Sequence, residues 1–193
     1  MAKARPMTTR PIPVRPGPHA ARSRMAEILR VDHAGELGAV HIYRGQRAVL
    51  EGAQGHDRIA GQLAQMESHE AVHLARFDRL LTDRGVRPTM MAPLWRAAGF
   101  AVGAATALMG EKAAHACTEA VESVIEEHYA GQIAELATRE PDLATELSQF
   151  RDEELAHRDL AVAAGARDAP AYPLLAAVIR AGCRAAIKIS EKL

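Results

Sequence analysis

Apolar residues recur every three or four positions from residue 25 onwards, the spacing that aligns them along one face of an α-helix. Glycines and prolines interrupt this pattern at intervals, as they do at helix ends. The pattern predicts helices over about residues 25–52, 58–84, 112–138, 142–165 and 171–190. A further apolar segment, about residues 91–110, separates the second helix from the third. A chain of 193 residues suits one domain, and we predict an all-α domain over residues 25–193.

Two of these helices carry a Glu-x-x-His motif on the face that should be apolar. The inward face of the second helix consists of Leu63, Met66, Glu70, His73, Phe77 and Leu80. The inward face of the fourth consists of Leu143, Leu147, Phe150, Glu154, His157, Ala161 and Ala164. Burying a carboxylate without a positive partner costs several kcal/mol. Because no Arg or Lys shares these faces, we favour a metal site over the alternative, a buried salt-bridge network.

The two motifs belong to an internal repeat. The first and third helices each carry a lone glutamate, Glu36 and Glu122, upstream of a Glu-x-x-His motif. The same residue types follow each glutamate at the same offsets, namely Tyr43, Gly45, Gln46 and Leu50 in one half and Tyr129, Gly131, Gln132 and Leu136 in the other. The repeat predicts a four-helix bundle built from two pseudo-symmetric helical hairpins.

Each half of this bundle would donate two carboxylates and one imidazole, which is a ligand set for two metal ions. The candidate ligands are Glu36, Glu70, His73, Glu122, Glu154 and His157. A carboxylate can bridge two ions, so Glu70 and Glu154 are the bridging candidates, and each histidine marks one ion. Glu36 and Glu122 are then terminal or semi-bridging. Mixed carboxylate and imidazole ligands suit iron or manganese, and a pair of iron ions can reduce O2.

Composition and charge add few constraints. The chain has 24 basic and 24 acidic residues, so no overall charge favours nucleic-acid binding. Residues 1–24 are basic, lack acidic residues and carry five prolines, which predicts a disordered tail. Cys117 and Cys183 form no Cys-x-x-Cys motif and are expected to be reduced thiols of an intracellular protein. The N-terminus lacks the apolar stretch that a secretory signal needs, so we do not expect such a signal.

Several longer motifs resemble one enzyme family. Val31-Asp32-His33-Ala34-Gly35-Glu36, Arg87-Pro88-Thr89 and Phe150-Arg151-Asp152-Glu153-Glu154-Leu155-Ala156-His157 are similar to the signatures of the demethoxyubiquinone hydroxylases. The resemblance covers roughly residues 25–193. It implies a ferritin-like di-iron fold and an O2-dependent monooxygenase that hydroxylates the ring of a polyprenyl benzoquinol in ubiquinone biosynthesis. It also implies that the same six residues bind two iron ions. The electrons would come from the quinol, from NADH or from a partner protein.

A lipid substrate, which the resemblance implies, suggests a function for the apolar segment after Trp95. Residues 97–110 carry no charge and are too few to span a bilayer. We interpret the segment as a helix in the membrane interface that opens a path for a polyprenyl tail, anchored by Trp95 and Arg96. A core or dimer-contact helix is the alternative. The C-terminal helix is a second candidate for contact with a membrane or a partner. Composition favours the cytoplasmic side of a bacterial inner membrane, with the matrix side of the mitochondrial inner membrane as the alternative.

Three other functions use a similar bundle. They are iron oxidation and storage, a di-manganese catalase, and a non-catalytic bundle that binds quinone or membrane. Storage sites are usually asymmetric, whereas this chain has two matched Glu-x-x-His motifs. A homo-oligomer or a partner protein of ubiquinone biosynthesis stays open.

The surroundings of the ligands are less clear from the sequence. Many di-iron proteins carry Asp just before the Glu of Glu-x-x-His, but here His69 and Glu153 stand there. Asp32 is a candidate for the hydrogen-bond acceptor of a ligand histidine. Tyr43 and Tyr129 are expected to pack or to hydrogen-bond near the site. The other helix-borne histidines, His33, His41, His69, His115 and His128, are expected at the surface or as satisfied core residues. Solvent-facing ion pairs with Arg or Lys are expected for Glu27, Glu67, Glu126, Glu127, Glu135 and Glu153.

Overall fold

The structure is a computed structural model that describes the backbone of residues 18–193 and the side chains from residue 23 onwards. Its six α-helices are α1 (Pro18–Leu50), α2 (Asp57–Arg84), α3 (Ala92–Leu108), α4 (Glu111–Leu136), α5 (Pro141–Ala163) and α6 (Tyr172–Lys192). A short 3-10 helix, Ala166–Asp168, precedes α6. There is no strand in this part of the chain. The predicted all-α class is therefore confirmed, and most helix ends lie within two residues of their predicted positions.

The largest difference is at the start of α1. Residues 18–24 are helical, although the sequence pattern assigns them to a disordered tail. Pro18 is compatible with a first helical residue because its missing N–H needs no partner there, and the tail's other prolines all precede it. Arg24 also fixes this first part of α1, since its Nη2 lies 3.0 Å from Glu135 Oε2 of α4. The rest of the predicted tail, residues 1–17, lies outside the described residues.

Helices α1 and α2 form one antiparallel hairpin, and α4 and α5 form the second. Polar contacts join α2 to α5, including the ion pair between Arg76 and Glu146. Helix α3 packs along α1, and α6 packs against α4 and α1. The sequence repeat thus corresponds to two helical hairpins, and the predicted four-helix bundle with two further helices is confirmed.

Helix α3 lies so close to α1 that glycines are required at the contact. A Cβ atom added to Gly103 would overlap the carbonyl oxygen of Ile42, and one added to Gly45 would overlap that of Phe100. The inner face of the apolar segment is therefore packed against the bundle, as in the alternative that treats it as a core helix. Its outer face is exposed, since Leu94 and Leu108 are 50% and 76% accessible.

We predict that Gly103→Ala lowers the free energy of unfolding by about 1–3 kcal/mol, because the new methyl group forces α3 away from α1. The matched control is Gly131→Ala on α4, where a Cβ atom would meet nothing within 4 Å. That change should raise the free energy of unfolding by about 0.5–1 kcal/mol through helix propensity. Urea denaturation measures both. Equal effects of the two substitutions would contradict the close contact.

Two of the apolar core clusters lie on either side of the predicted ligands of α2. One cluster contains Ile28, Leu29, Phe77, Leu80, Leu81, Tyr129, Leu136, Leu143, Ala144, Leu147 and Phe150. The other contains Ala39, Tyr43, Leu50, Ile59, Leu63, Met66, Ala107 and Ala114. Along α2, Met66 belongs to one cluster and Phe77 to the other, with Glu70 and His73 between them. The polar residues of the bundle therefore lie between two apolar clusters.

Candidate metal centre

The structure brings all six predicted ligands together. Helix α1 contributes Glu36, α2 contributes Glu70 and His73, α4 contributes Glu122, and α5 contributes Glu154 and His157. Every one of them is buried. They form two overlapping groups, Glu36–Glu70–His73–Glu154 and Glu70–Glu122–Glu154–His157, and within each group the ligand atoms lie within 4.8 Å of one another. Glu70 and Glu154 belong to both groups, which is the placement that two ions sharing two carboxylates would need.

The atoms that face the centre of this cluster have no hydrogen-bond partner among the described residues. They are Nδ1 of His73 and His157, both carboxylate oxygens of Glu70 and Glu154, and one oxygen each of Glu36 and Glu122. A buried polar atom without a partner costs about 1–3 kcal/mol, and more when it is charged. The donor set of six oxygens and two nitrogens fits two divalent cations, and such cations would satisfy every one of these atoms.

Both imidazoles turn the same nitrogen towards the carboxylates. Nδ1 of His73 lies 3.2 Å from Glu154 Oε1 and 3.5 Å from Glu36 Oε2. Nδ1 of His157 lies 3.1 Å from Glu70 Oε1 and 3.4 Å from Glu154 Oε2. Nδ1 is therefore the nitrogen through which each ring would bind a cation.

Two tyrosines orient the carboxylates that are not shared. Tyr43 of α1 donates its hydroxyl proton to Glu122 of α4, and Tyr129 of α4 donates to Glu36 of α1. Burial, with the neighbouring carboxylates, raises the pKa of both tyrosines well above its usual value, so both stay protonated donors. The other oxygen of each glutamate remains directed at the cluster. The predicted hydrogen-bonding role of the two tyrosines is confirmed.

The carboxylates are electrostatically coupled. Burial and the neighbouring Glu154 carboxylate raise the pKa of Glu70 well above its usual value, and the same two causes act on Glu122. Burial would also raise the pKa of Glu154, but the two histidines lower it to about 2. Burial would lower the pKa of His73, yet Glu154 and Glu36 raise it to about 11. The cluster thus favours positive charge at its centre, whether carried by protons or by metal ions.

The outer nitrogens of the two histidines have different partners. Nε2 of His73 lies 2.8 Å from Glu153 Oε2, whereas Nε2 of His157 lies 3.1 Å from Nδ1 of His69. The sequence-based choice of Asp32 as an acceptor is wrong, because Nε2 of His73 and Nε2 of His157 contact these other residues. Asp32 instead accepts a hydrogen bond from Gln132 Nε2 at 2.7 Å. The sequence signal was present, since His69 and Glu153 each precede the Glu of a Glu-x-x-His motif. What the sequence did not show is that His69 and Glu153 each contact the ligand histidine of the opposite hairpin.

Glu153 is thus an exception among the glutamates expected to pair with Arg or Lys. The others do so as predicted, with Arg24 beside Glu27 and Glu135, Arg44 and Arg47 beside Glu67, Arg151 beside Glu126, and Arg184 beside Glu127. Three of the other histidines also have partners, namely His33 with Asp78, His41 with the Leu37 carbonyl and His128 with Gln132.

His115 departs from the expectation of a surface or satisfied histidine. Its ring is fully buried in α4, and neither nitrogen has a partner among the described residues. Burial lowers the pKa of His115, and nearby Arg58 lowers it further, whereas Glu111 opposes the shift. The folded protein therefore holds a neutral imidazole that the unfolded chain would protonate below a pH of about 6.5.

From this we predict an acid-dependent effect of His115→Leu. The counterpart of His115 in the internal repeat is Leu29, which is fully buried, so leucine suits the position. The variant should be more stable than the parent by about 1 kcal/mol at neutral pH. Stability of the parent is lost as the pH falls below the unfolded pKa, so this gap should widen between about pH 7 and pH 5. Urea denaturation across this range measures it. His115→Gln, which is polar and cannot titrate, separates the two effects, and a gap independent of pH would contradict the argument.

An apolar cavity of about 380 Å³ lies beside the two helices that carry Glu36 and Glu122. It lies between α1, α3, α4 and α6, and its wall includes Gly35 and Val121, the residues immediately before Glu36 and Glu122. On its far side, Trp95 of α3 donates its indole N–H to Ser190 Oγ of α6 at 3.0 Å. The cavity therefore extends from the residues next to Glu36 and Glu122 to the gap between α3 and α6, and most of its lining is apolar.

Large apolar side chains also project outwards from α3 and α6, two of the four helices that border this cavity. On α3 they are Leu94, Phe100, Val102 and Leu108, and on α6 they are Leu174, Val178 and Ile189. None of the helices from Pro18 to Lys192 has the length and apolar character needed to cross a bilayer. The exposed apolar face is thus formed by helices that also pack against the bundle.

Comparisons with known proteins all point to the same family. The profile of the family described as Ubiquinone biosynthesis protein COQ7 matches residues 23–190. A Rhodospirillum rubrum protein named 3-demethoxyubiquinol 3-hydroxylase is 49% identical over 178 residues, which cover 92% of this chain and 82% of that protein. The human mitochondrial protein named NADPH-dependent 3-demethoxyubiquinone 3-hydroxylase is 46% identical, with 90% and 80% covered. The Saccharomyces cerevisiae mitochondrial 5-demethoxyubiquinone hydroxylase is 40% identical, with 86% and 77% covered.

Proposed function

Because the chain belongs to the COQ7 family of ubiquinone biosynthesis proteins, we propose that it is a 3-demethoxyubiquinol 3-hydroxylase. In this reaction one atom of O2 enters the ring of a polyprenyl methoxy-methyl-benzoquinol, and the other leaves as water. Two electrons and two protons are consumed, and the names of the animal relatives point to NADPH as their source. The observation that carries the proposal is a buried cluster of four carboxylates and two imidazoles in a bundle whose apolar cavity is lined by the chain neighbours of Glu36 and Glu122.

We assign the cluster to two iron ions. The protein atoms without partners support this assignment, because Glu70 and Glu154 each leave two oxygens free whereas Glu36 and Glu122 each leave one. Glu70 and Glu154 would bridge, and Glu36 with His73 and Glu122 with His157 would complete the two positions. When bound, a pair of iron ions would pass the electrons of the reductant to O2 and would supply Lewis acidity.

The chain's own residues position the substrate and exclude water. The apolar wall of the cavity gives a quinol ring or a prenyl chain a dry surface, and Gly35 and Gly38 keep the α1 side of that wall open. Tyr43 and Tyr129 hold Glu122 and Glu36 in fixed orientations at the inner end. A ring bound there would lie within reach of the cluster while its polyprenyl tail extends between α3 and α6.

We further propose that the tail enters from a lipid bilayer. The exposed apolar side chains of α3 and α6 flank the outer end of the cavity, and Leu174 is 68% accessible. Helices that lie in the membrane interface bury such a face without crossing the bilayer. The protein would then be peripheral on the cytoplasmic side of a bacterial inner membrane or, alternatively, on the matrix side of the mitochondrial inner membrane.

The apolar cavity also distinguishes the proposal from its alternatives. Iron storage and peroxide disproportionation act on small polar species, and neither needs an apolar route to the metal centre. A non-catalytic quinone-binding bundle would not need four carboxylates buried together.

The test is lipid extraction from a bacterial strain that lacks its own hydroxylase and accumulates demethoxyubiquinone. Expression of this chain should restore ubiquinone, whereas the Glu154→Ala variant should not. Asp152→Asn, an exposed change two positions earlier on α5, is the matched control and should restore ubiquinone fully. Continued accumulation of demethoxyubiquinone with the soluble, folded parent chain would refute the proposed reaction.

A further inference from the structure

The two halves of the cluster share several features but differ behind the histidines. Each half has one glutamate held by a tyrosine, and both halves share Glu70 and Glu154. Behind His73, however, the partner of Nε2 is the carboxylate of Glu153 at 2.8 Å. Behind His157, the partner of Nε2 is the imidazole of His69 at 3.1 Å. One histidine thus has a carboxylate behind it and the other has a second imidazole.

The chemistry of imidazole fixes the roles in these two contacts. A histidine that binds a cation through Nδ1 carries its proton on Nε2 and donates it outwards. His157 can donate to Nδ1 of His69 only if that nitrogen is unprotonated, which makes His69 a neutral acceptor. Hydrogen bonds to an ionised acceptor are roughly twice as strong as neutral ones. A carboxylate partner also makes the imidazole a stronger ligand, so His73 should be the better electron donor.

The surroundings of the two rings reinforce this difference. The ring of Phe150 stacks on His73 with centroids 4.0 Å apart, so one face of His73 is covered by an apolar group. His157 instead lies edge to edge with His69, with centroids 5.3 Å apart and planes at 20°, as their N–H···N contact requires. Glu153 is half exposed, which screens its charge from distant groups but leaves the direct contact with His73 intact.

We infer that the two metal positions are inequivalent, and that the ion bound by His73 is held about 10–100-fold more tightly than the ion bound by His157. The inference rests on one part of the proposed function, the binding of two ions by the six residues, and does not depend on the hydroxylation reaction. Glu153 and His69 are positioning residues that act through the histidines. The centre therefore fills in a fixed order, and the position at His157 is the first to lose its ion.

The test uses the full chain, freed of metal and titrated with Fe²⁺ under argon in a calorimeter. The parent should show two binding steps whose constants differ about 10–100-fold. Glu153→Gln keeps an acceptor oxygen but removes the charge, so it should weaken the tighter step about 10–100-fold and leave the weaker step unchanged. His69→Asp supplies the missing carboxylate and should tighten the weaker step by a similar factor.

Three further variants assign the steps and control for charge. Asp152→Asn removes one carboxylate from the residue next to Glu153, where the side chain is exposed, and should change neither constant. His157→Ala should leave only the tighter step, and His73→Ala only the weaker one. His69→Asp guards against misfolding as an explanation, because a gain in affinity cannot come from a loss of structure.

The outcomes separate this inference from the proposed function. Two equal steps in the parent, or an equal loss in both steps of Glu153→Gln, would overturn the inequivalence and leave the hydroxylase proposal standing. A parent chain that binds no Fe²⁺ would overturn both. Two separated steps with the expected responses of the Glu153 and His69 variants would establish the order of filling.

Discussion

Replacing Glu154 with alanine is expected to abolish both iron binding and hydroxylation. Glu154 belongs to both groups of ligand atoms, and both of its oxygens lack a partner among the described residues. Its loss removes a bridging carboxylate and the neighbour that both histidines face. Loss of an outer hydrogen-bond partner alone costs about 10–100-fold in metal affinity or activity, so loss of a ligand should cost at least about 100-fold. Iron analysis and a hydroxylation assay of the purified protein measure the two effects.

The control for this experiment is Glu146→Ala on the same helix. Glu146 pairs with Arg76 of α2 at the bundle surface and does not belong to either ligand group. The pair is partly buried, so its loss should cost about 1 kcal/mol of stability, and iron content and activity should be those of the parent. Full hydroxylation by Glu154→Ala would refute the assignment of the centre.

Filling the apolar cavity should stop the reaction without disturbing the metal. Gly38 lines the cavity, and a Cβ atom added to it would meet nothing within 4 Å, so a longer side chain at this position projects into open space. We expect Gly38→Leu to lower the hydroxylation of a polyprenyl quinol at least about 10-fold, because a lost binding energy of about 1.4 kcal/mol corresponds to that factor. Iron content should not change, since Gly38 is not among the ligands.

The same substitution at Gly131 provides the control. Gly131 is exposed on α4, away from the cavity, and also has open space around its Cβ position. Both variants replace a glycine within a helix, so each should gain about 1 kcal/mol of helix propensity. Loss of activity in Gly38→Leu with unchanged or higher thermal stability, and full activity in Gly131→Leu, would identify the cavity as the substrate site. Equal activity of the two variants would show that the substrate reaches the centre by another route.

The helices could be predicted from the sequence because their apolar faces are periodic. The predicted range 58–84 and the observed Asp57–Arg84 differ by one residue, since Gly85 with a φ of 62° ends the helix locally. The start of α1 could not be predicted as well. The stability of residues 18–24 depends partly on the contact between Arg24 and Glu135, which are far apart in the chain.

The hydrogen-bond partners of the two ligand histidines also could not be predicted, because they depend on contacts between residues far apart in the chain. His69 and Glu153 are conspicuous by position, yet no rule of spacing along one helix indicates that Glu153 bonds to His73 of the opposite hairpin. The sequence alone therefore assigns Glu153 to the solvent, as a glutamate on the outer side of α5. Only the packing of α5 against α2 brings its carboxylate to an imidazole nitrogen.

What the sequence by itself determined is the set of helices, the internal repeat and the six residues that meet in the bundle, because helical periodicity fixes which side chains face inwards. What the tertiary structure decided is everything that depends on contacts between helices. It created the apolar cavity between α3 and α6, buried His115 without a partner, and gave the two histidines different acceptors. The physical reason is that a helix specifies the direction of its side chains, whereas the neighbour in that direction depends on how the helices pack.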